Sequence, residues 1–278
     1  MRQCTGTERQ CGNPGTVAHD MNAPFVEYVM LNDGEPLDRG SFPGNLAFTR
    51  DLHLNFESPV TFLVGENGSG KSTLLEAIAV AARLPISGGG SNETSAQHGF
   101  AERSLLADSL YLAFGRQPRD RYFFRAETQS HFASLLDQRV NDPEFEADPF
   151  MRYGGRSLHR MSHGEAFLSI MTNRFESGLL LMDEPESALS PQRQLSLLAL
   201  MHQLVQSGET QLIIATHSPI LLTYPGAAII SFDRGTLQRI ELEETTHYQI
   251  TRDILNNPTM YWRHLAAPDD RVERGDRA

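Results

Sequence analysis

The run Gly65-Glu66-Asn67-Gly68-Ser69-Gly70-Lys71-Ser72-Thr73 fits the spacing G-x-x-x-x-G-K-[ST], whose chemistry is the close embrace of an anion. Glycines let backbone N–H groups curl around a phosphate, and a helix starting at the end of the loop adds positive potential. Lys71 supplies a point charge and Ser72 offers a hydroxyl to a magnesium ion. By composition, a chance match in a chain of this length arises about one time in a hundred.

Three further groups could act on a phosphate held there. Asp183-Glu184 follows an apolar run and predicts two carboxylates facing the ligand, Asp183 holding magnesium and Glu184 polarising an attacking water as general base. Taken alone, an acidic strand end is more often a loop cap; a phosphate loop upstream reverses that weighting. His217, in Ala215-Thr216-His217-Ser218-Pro219, follows a second buried run and should reach the same edge, although a lone histidine is more often structural. Ser162-His163-Gly164-Glu165 is a capping box ahead of an apolar helix, and it leaves a helix end suited to an anion. In isolation, an ordinary helix cap explains it.

The elements that must position these groups can be read from local pattern. Val60–Val64 is a short β-rich run ending at Gly65, and Ser72–Leu84 carries helix formers with an apolar stripe. Leu179–Met182 and Leu212–Ala215 read as parallel strands buried on both faces. Ser190-Pro191 opens a helix that runs to about Ser207 before Gly208. Phe25–Leu31 predicts the first strand and Tyr122–Phe124 another. Ala101–Phe114 and Thr128 to about Arg139 predict helices, Ile86–His98 a Gly- and Ser-rich loop, and Asn141–Gly155 a connection. Ala227–Phe232 and Leu237–Leu242 predict a hairpin. The expected fold is α/β, with a mostly parallel central sheet, an antiparallel part and a small helical subdomain at about residues 100–175.

Composition narrows the class. The 278 residues carry a formal charge of -11, from 24 Lys and Arg against 35 Asp and Glu, which argues against a surface given over to phosphate backbones. The densest basic stretch, Arg116, Arg119, Arg121 and Arg125, permits DNA contact, but a salt-bridged face is the commoner meaning of such a run. The 2 cysteines, Cys4 and Cys11, build neither a disulfide framework nor a zinc site. No apolar run approaches the roughly 20 residues that span a bilayer, and Met1–Asp20 lacks the apolar region of a secretion signal. The expectation is a cytoplasmic protein with no membrane segment of its own, a disordered head over residues 1–22, a single domain over 23–278, and a start of translation at Met1 or Met21.

In order along the chain, GENGSGKST, MSHGE, LLLMDEPE, SALSP and ATHSP resemble the motifs of ABC ATPases, from about Val26 to Phe232. The look is that of small stand-alone bacterial AAA/ABC-like ATPases, relatives of the chromosome-maintenance and break-repair heads. The resemblance implies ATP and Mg2+ as ligands and a head-to-tail homodimer in which Ser162 and Gly164 of one copy close on the γ-phosphate held by Lys71 of the other. It implies Glu184 as the catalytic glutamate, His217 as the switch histidine and Ser187–Ser190 as the loop that signals between sites.

Two positions depart from the family pattern: His163 stands where glycine is usual and Ser190 where aspartate is. Glu127 or Gln129 could make the metal contact of the usual glutamine, and Tyr28, Phe42 or Phe48 could stack on adenine. Only 91 positions separate Lys71 from Ser162, which leaves no space for a coiled-coil arm. The implied function is an ATPase that drives a partner protein or a nucleic-acid process in repair or defence. The same motifs permit an ATP-binding subunit of a membrane transporter, or a nucleotide-gated binding module with little turnover.

Overall fold

The computed structural model describes residues 24–32, 37–90, 104–127, 133–134, 136–137, 140 and 148–266. The head at residues 1–22 and most of the expected helix at 128–139 lie outside them, as does Gln129. Strands β1 (Val26–Leu31), β2 (His53–Asn55) and β3 (Val60–Val64) precede helix α1 (Lys71–Ala81) and the two-residue strand β4 (Gly89–Gly90). A short helix α2 (Leu105–Asp108) leads into β5 (Leu110–Phe114) and β6 (Arg121–Arg125). Helix α3 (His163–Arg174), β7 (Gly178–Asp183), α4 (Pro191–Gln206) and β8 (Thr210–Ala215) follow. The described chain then runs through β9 (Ala228–Ser231), β10 (Gln238–Ile240), α5 (Thr246–Asn256) and α6 (Pro258–Leu265).

Seven strands form the central sheet in the order β10-β9-β3-β8-β7-β6-β4, with β9, β3, β8, β7 and β6 parallel and the two edges antiparallel. Every residue of β3, β7, β8 and β9 is buried, because both faces of a parallel sheet are covered by its crossovers. Alternate side chains feed two cores. Val60, Phe62, Leu180, Met182, Leu212 and Ile214 pack with Phe167, Ile170 and Met171 of α3 and with Leu197 and Met201 of α4. Leu63, Leu179, Leu181 and Ile213 pack with Leu74, Leu75 and Ile78 of α1 and with Val26, Val29 and Leu54 of the first strands.

The first strands belong to a separate antiparallel sheet, β2-β1-β5. Gln211 of β8 joins it to the central sheet: its Oε1 accepts from the N–H groups of Phe25 and Val26 at 2.9 and 2.8 Å, and its Nε2 donates to the Val26 carbonyl at 3.0 Å. All three bonds are buried.

The expected helix over Ala101–Phe114 is corrected. Only Leu105–Asp108 is helical, under a Ser104 cap, and Leu110–Phe114 is strand β5, paired with β1. Leu-Tyr-Leu-Ala-Phe suits either state locally, and cross-strand pairing with a distant segment decides it. Residues 110–125, placed by expectation in the helical subdomain, therefore contribute a strand to each sheet. Strands β1, β3, β6, β7, β8, β9 and β10 match their expected places within about two residues, β9 and β10 as the expected hairpin; β2 has no expected counterpart, and β4 falls within the expected loop at Ile86–His98. Helices α5 and α6 are additional. Among the described residues no helix is long and apolar enough to cross a membrane.

Replacing Gln211 with alanine strands three buried backbone groups, each costing about 1–3 kcal/mol. We expect Gln211→Ala to lower the unfolding free energy by about 3 kcal/mol or more in urea titrations. A loss below about 1 kcal/mol would show that the clamp does not join the sheets.

Candidate functional site

The order of the central sheet gathers the chemistry. Strands β3, β8, β7 and β6 are successive parallel neighbours, with Leu63 paired to Ala215, Ala215 to Asp183 and Asp183 to Arg125. The residues that follow these pairs emerge along one carboxyl edge: the phosphate loop after β3, Thr216-His217 after β8, Glu184 after β7.

The loop itself curls because Gly70, the cap of α1, sits at φ 100°, and an added Cβ there would overlap the Phe48 ring. Phe48 is buried, edge-to-face with Phe232 at 5.2 Å between ring centres, so it supports the loop from beneath and has no face to offer adenine. Tyr28 packs beside His53 and Tyr111. Phe42 is the exposed aromatic of the three. Asp233, after β9, accepts from the Glu66 N–H at 2.8 Å and fixes the outer arm of the loop.

Lys71 is buried, and its Nζ donates to the carbonyls of Gly65 at 2.7 Å and Glu66 at 3.1 Å. Burial holds its pKa below the usual lysine range against the pull of Glu184, Asp233, Asp183 and Glu66. Ser72 Oγ donates to Asp183 Oδ1 at 2.9 Å. Burial pushes the Asp183 carboxyl up to about 6, opposed by that hydrogen bond and by Arg125, whose Nε lies 3.6 Å from Asp183 Oδ2.

The Ser72 hydroxyl and Asp183 carboxylate are hard oxygen donors, a set that suits Mg2+ shared with phosphate and water. Among the described residues no group of three His, Cys, Asp or Glu side chains could hold a metal ion. A metal here would therefore depend on the phosphate for the rest of its shell.

Glu184 adopts the left-handed conformation, φ 46° and ψ 53°, with its N–H bonded to the Ala215 carbonyl at 2.9 Å. For a residue other than glycine this costs about 1 kcal/mol or more, and its side chain lies beside His217, which follows β8. His217 Nε2 lies 3.5 Å from Glu184 Oε1. The His217 N–H donates to Glu186 Oε1 at 2.5 Å, and Nδ1 lies 2.8 Å from His247 Nε2 on α5. Burial first, then Lys71 and His247, lower the His217 pKa, which favours the neutral ring.

The structure thus brings Lys71, Ser72, Asp183, Glu184 and His217 together. Ser162 and Gly164 stand apart from this cluster, at the start of α3. The capping box is formed: Ser162 Oγ accepts from the Glu165 N–H at 3.4 Å, and the Ser162 N–H donates to Glu165 Oε2 at 2.9 Å. The Ser162 N–H and hydroxyl, both donating to Glu165 Oε2, together with Arg193 hold the Glu165 carboxyl below its usual range. Gly164 is required by close approach, since a Cβ would lie 2.8 Å from Arg193 Cδ and 3.0 Å from the Ala188 carbonyl. The helix end therefore rests on the Ser187–Ser190 loop.

Four residues at the site carry no expected role in the sequence: Arg125, Glu186, Asp233 and His247. The first lay within a basic run. Of that run, Arg116 pairs with Glu209 at 3.0 Å, Arg121 donates to the Ala82 carbonyl at 2.9 Å, and Arg125 pairs with Glu76 at 2.8 Å and lies 3.7 Å from Glu127. Arg116 and Arg125 are thus salt-bridged, whereas Arg121 is held by hydrogen bonds to the Ala82 carbonyl and to Gln117 Oε1.

Two family models match the chain. One, "AAA domain", covers residues 40–130, and the other, "AAA domain, putative AbiEii toxin, Type IV TA system", covers residues 160–223. The first contains the phosphate loop; the second contains Ser162, Asp183, Glu184 and His217. The ribose import ATP-binding protein RbsA of Jannaschia sp. is 28% identical over 192 residues, 63% of this chain and 36% of that one. The petrobactin import ATP-binding protein FpuD of Bacillus anthracis is 23% identical over 217 residues, 72% of this chain and 79% of that one. The chain thus spans about a third of the first relative's length. The SMC head domain from Thermotoga maritima superposes with a TM-score of 0.41 at 15% identity, over 78% of this chain and 98% of that one.

Lys71 is the ammonium aimed into the loop, so Lys71→Ala should weaken binding of a nucleoside triphosphate by about a hundredfold or more, the scale of charge-assisted phosphate bonds. Titration calorimetry measures this, and an unchanged affinity would contradict the assignment.

Proposed function

We propose that the chain is an ABC-like ATPase that binds ATP with Mg2+ on residues 65–73 and hydrolyses it between two copies of itself. Closing and opening of this homodimer, in the cytoplasm, would drive a partner protein or a nucleic-acid process in repair or defence. The observation that carries this reading is the convergence of Lys71, Ser72, Asp183, Glu184 and His217 on one sheet edge, supplied by three neighbouring strands. The toxin–antitoxin wording of the second family model agrees with a defence role.

Each residue has a task that its surroundings support. Lys71 exchanges the carbonyls of Gly65 and Glu66 for β- and γ-phosphate oxygens, which is favourable because a buried ammonium gains fully charged acceptors. Ser72 and Asp183 would hold Mg2+, whose chemistry is to neutralise charge on the phosphates. Glu184, 41% exposed at the side chain, is open to water and accepts its proton as the water attacks. His217 presents Nε2 beside Glu184 and donates to the γ-phosphate.

Ser162 and Gly164 belong to the second copy's contribution. Their helix end is exposed at Ser162 and positively polarised. Set against the γ-phosphate of the other copy, it would complete the donor shell and exclude water. The Ser187–Ser190 loop, touched by Gly164, connects this helix end to Glu184 of the same chain.

The names of the import relatives favour a second reading, an ATP-binding subunit of a membrane transporter. Co-purification from native membranes with a membrane-spanning partner would support it; recovery with soluble protein or nucleic acid would support the first.

Glu184→Gln should bind ATP yet turn over about a hundredfold more slowly, the scale of a lost general base. Near-normal phosphate release in a steady-state assay would mean that another group positions the water. Mg-ATP should also convert Glu184→Gln protein into a dimer with two trapped nucleotides, whereas Ser162→Arg should bind ATP as a monomer and neither dimerise nor hydrolyse. Light scattering with and without Mg-ATP reads both outcomes, and a Ser162→Arg protein that dimerises normally would overturn the shared site.

A further inference from the structure

His217 is held by two hydrogen bonds, while its Nε2 is buried beside Glu184 without one. Glu186 Oε1 accepts from its backbone N–H at 2.5 Å, its Nε2 faces Glu184 Oε1 at 3.5 Å, and its Nδ1 meets His247 Nε2 at 2.8 Å. The two imidazoles stand edge-to-face, with ring centres 4.8 Å apart and planes at 70°. A nitrogen–nitrogen contact of this length is a hydrogen bond and needs one proton between the rings.

The location of that proton follows from the other face of His217. In its neutral form, which burial and the nearby Lys71 and His247 favour, the ring carries one N–H and one lone pair. Were the N–H on Nδ1, the lone pair on Nε2 would point at the Glu184 carboxylate and toward any phosphate held by Lys71, both of them acceptors. With the N–H on Nε2, that face donates, and the bare Nδ1 accepts from His247. The bond made by one ring nitrogen fixes the role of the other.

His247 is itself placed with some rigidity. It is the second residue of α5, whose cap Thr245 is 1% exposed, accepts from the Tyr248 N–H at 3.3 Å and donates to the Leu242 carbonyl at 2.8 Å. Gln249 Nε2 donates to the Glu243 carbonyl at 2.7 Å. The first turn of α5 is thus tied to the turn Leu242–Glu244 that precedes it. Further along, α5 and α6 expose Ile250, Leu255 and Trp262.

We propose that His247 is a positioning residue for hydrolysis: its Nε2–H donates to His217 Nδ1, fixing His217 as the Nε2–H tautomer aimed at Glu184 and the γ-phosphate. The proposal rests on the ATPase reading above, and it makes the start of α5 part of the switch. Removing the donor frees the ring to rotate and to exchange tautomers. The damage falls on turnover and leaves ground-state nucleotide binding, which Lys71 dominates.

The test uses the full chain with 15N-labelled histidine. Long-range 15N–1H correlation spectra, assigned with single-histidine variants, report which nitrogen of His217 is protonated. Steady-state hydrolysis gives kcat and KM separately. Wild type should show the proton on Nε2. His247→Gln, whose amide can donate from the same place, should keep that tautomer and stay within about twofold in kcat. His247→Ala should average the His217 nitrogen signals and lower kcat about tenfold, the lower end for loss of a group that orients a histidine, with KM changed less than about threefold. His247→Glu presents only acceptors, and should move the proton to Nδ1 and lower kcat further. A wild-type His217 protonated on Nδ1 would overturn the proposal, as would His247→Ala and His247→Glu proteins with unchanged tautomer and kcat. Absence of hydrolysis by wild type would count against the ATPase reading, while the tautomer spectra would still decide the hydrogen bond.

Discussion

A parallel sheet covered on both faces has no room for polar chemistry except at its edges, and that constraint organises this molecule. Strands β3, β7 and β8 are buried along their whole length, so each can place a charged group only where it leaves the sheet. Their register brings those exits level, and the phosphate loop, the two carboxylates and the switch histidine become neighbours without any of them contributing to the core. Apolar packing above and below, at about 1.5–3 kcal/mol for each large side chain, holds the edge steady. The cost is local: a buried carboxyl at Asp183 with a raised pKa, a buried ammonium at Lys71 with a lowered one, and a left-handed backbone at Glu184.

These strains offset one another in the structure. Asp183 receives Ser72 and stands close to Arg125, Arg125 pairs in turn with Glu76 of α1, and Lys71 occupies the carbonyls of its own loop. Every member of this network except Glu76, midway along α1, sits at the end or the start of a rigid element. A ligand that brings three or four negative oxygens into the loop can rearrange it by moving side chains alone.

Much of this was legible in the sequence, because the phosphate loop, the acidic pair and the switch each follow a short apolar run, and such a run has few meanings next to a glycine turn. Local pattern failed where distant pairing decides. Leu110–Phe114 is apolar in nearly every position and holds no period that separates helix from strand; β1 settles it from far earlier in the chain. The arginines of 116–125 read as one charged run, yet they belong to different partners, and Arg125 reaches the acidic pair only because β6 lies beside β7. His247 gave no signal either. Thirty positions from His217, it meets that ring through a helix start that no motif marks.

The capping box at the start of α3 has one further consequence. Glu165 already lays a carboxylate across the helix end, bonded to the Ser162 N–H and the Ser162 hydroxyl, so the most favourable place for a negative charge is occupied by the chain itself. Weakly charged visitors such as chloride or a lone carboxylate gain little there, since they meet repulsion from Glu165 and find only the remaining N–H groups. A terminal phosphate, with more charge and several acceptor oxygens presented at once, can hold those donors and draw the serine hydroxyl across as well. In the shared-site reading, the γ-phosphate of a second copy would thus have to compete with Glu165 for the donors of Ser162.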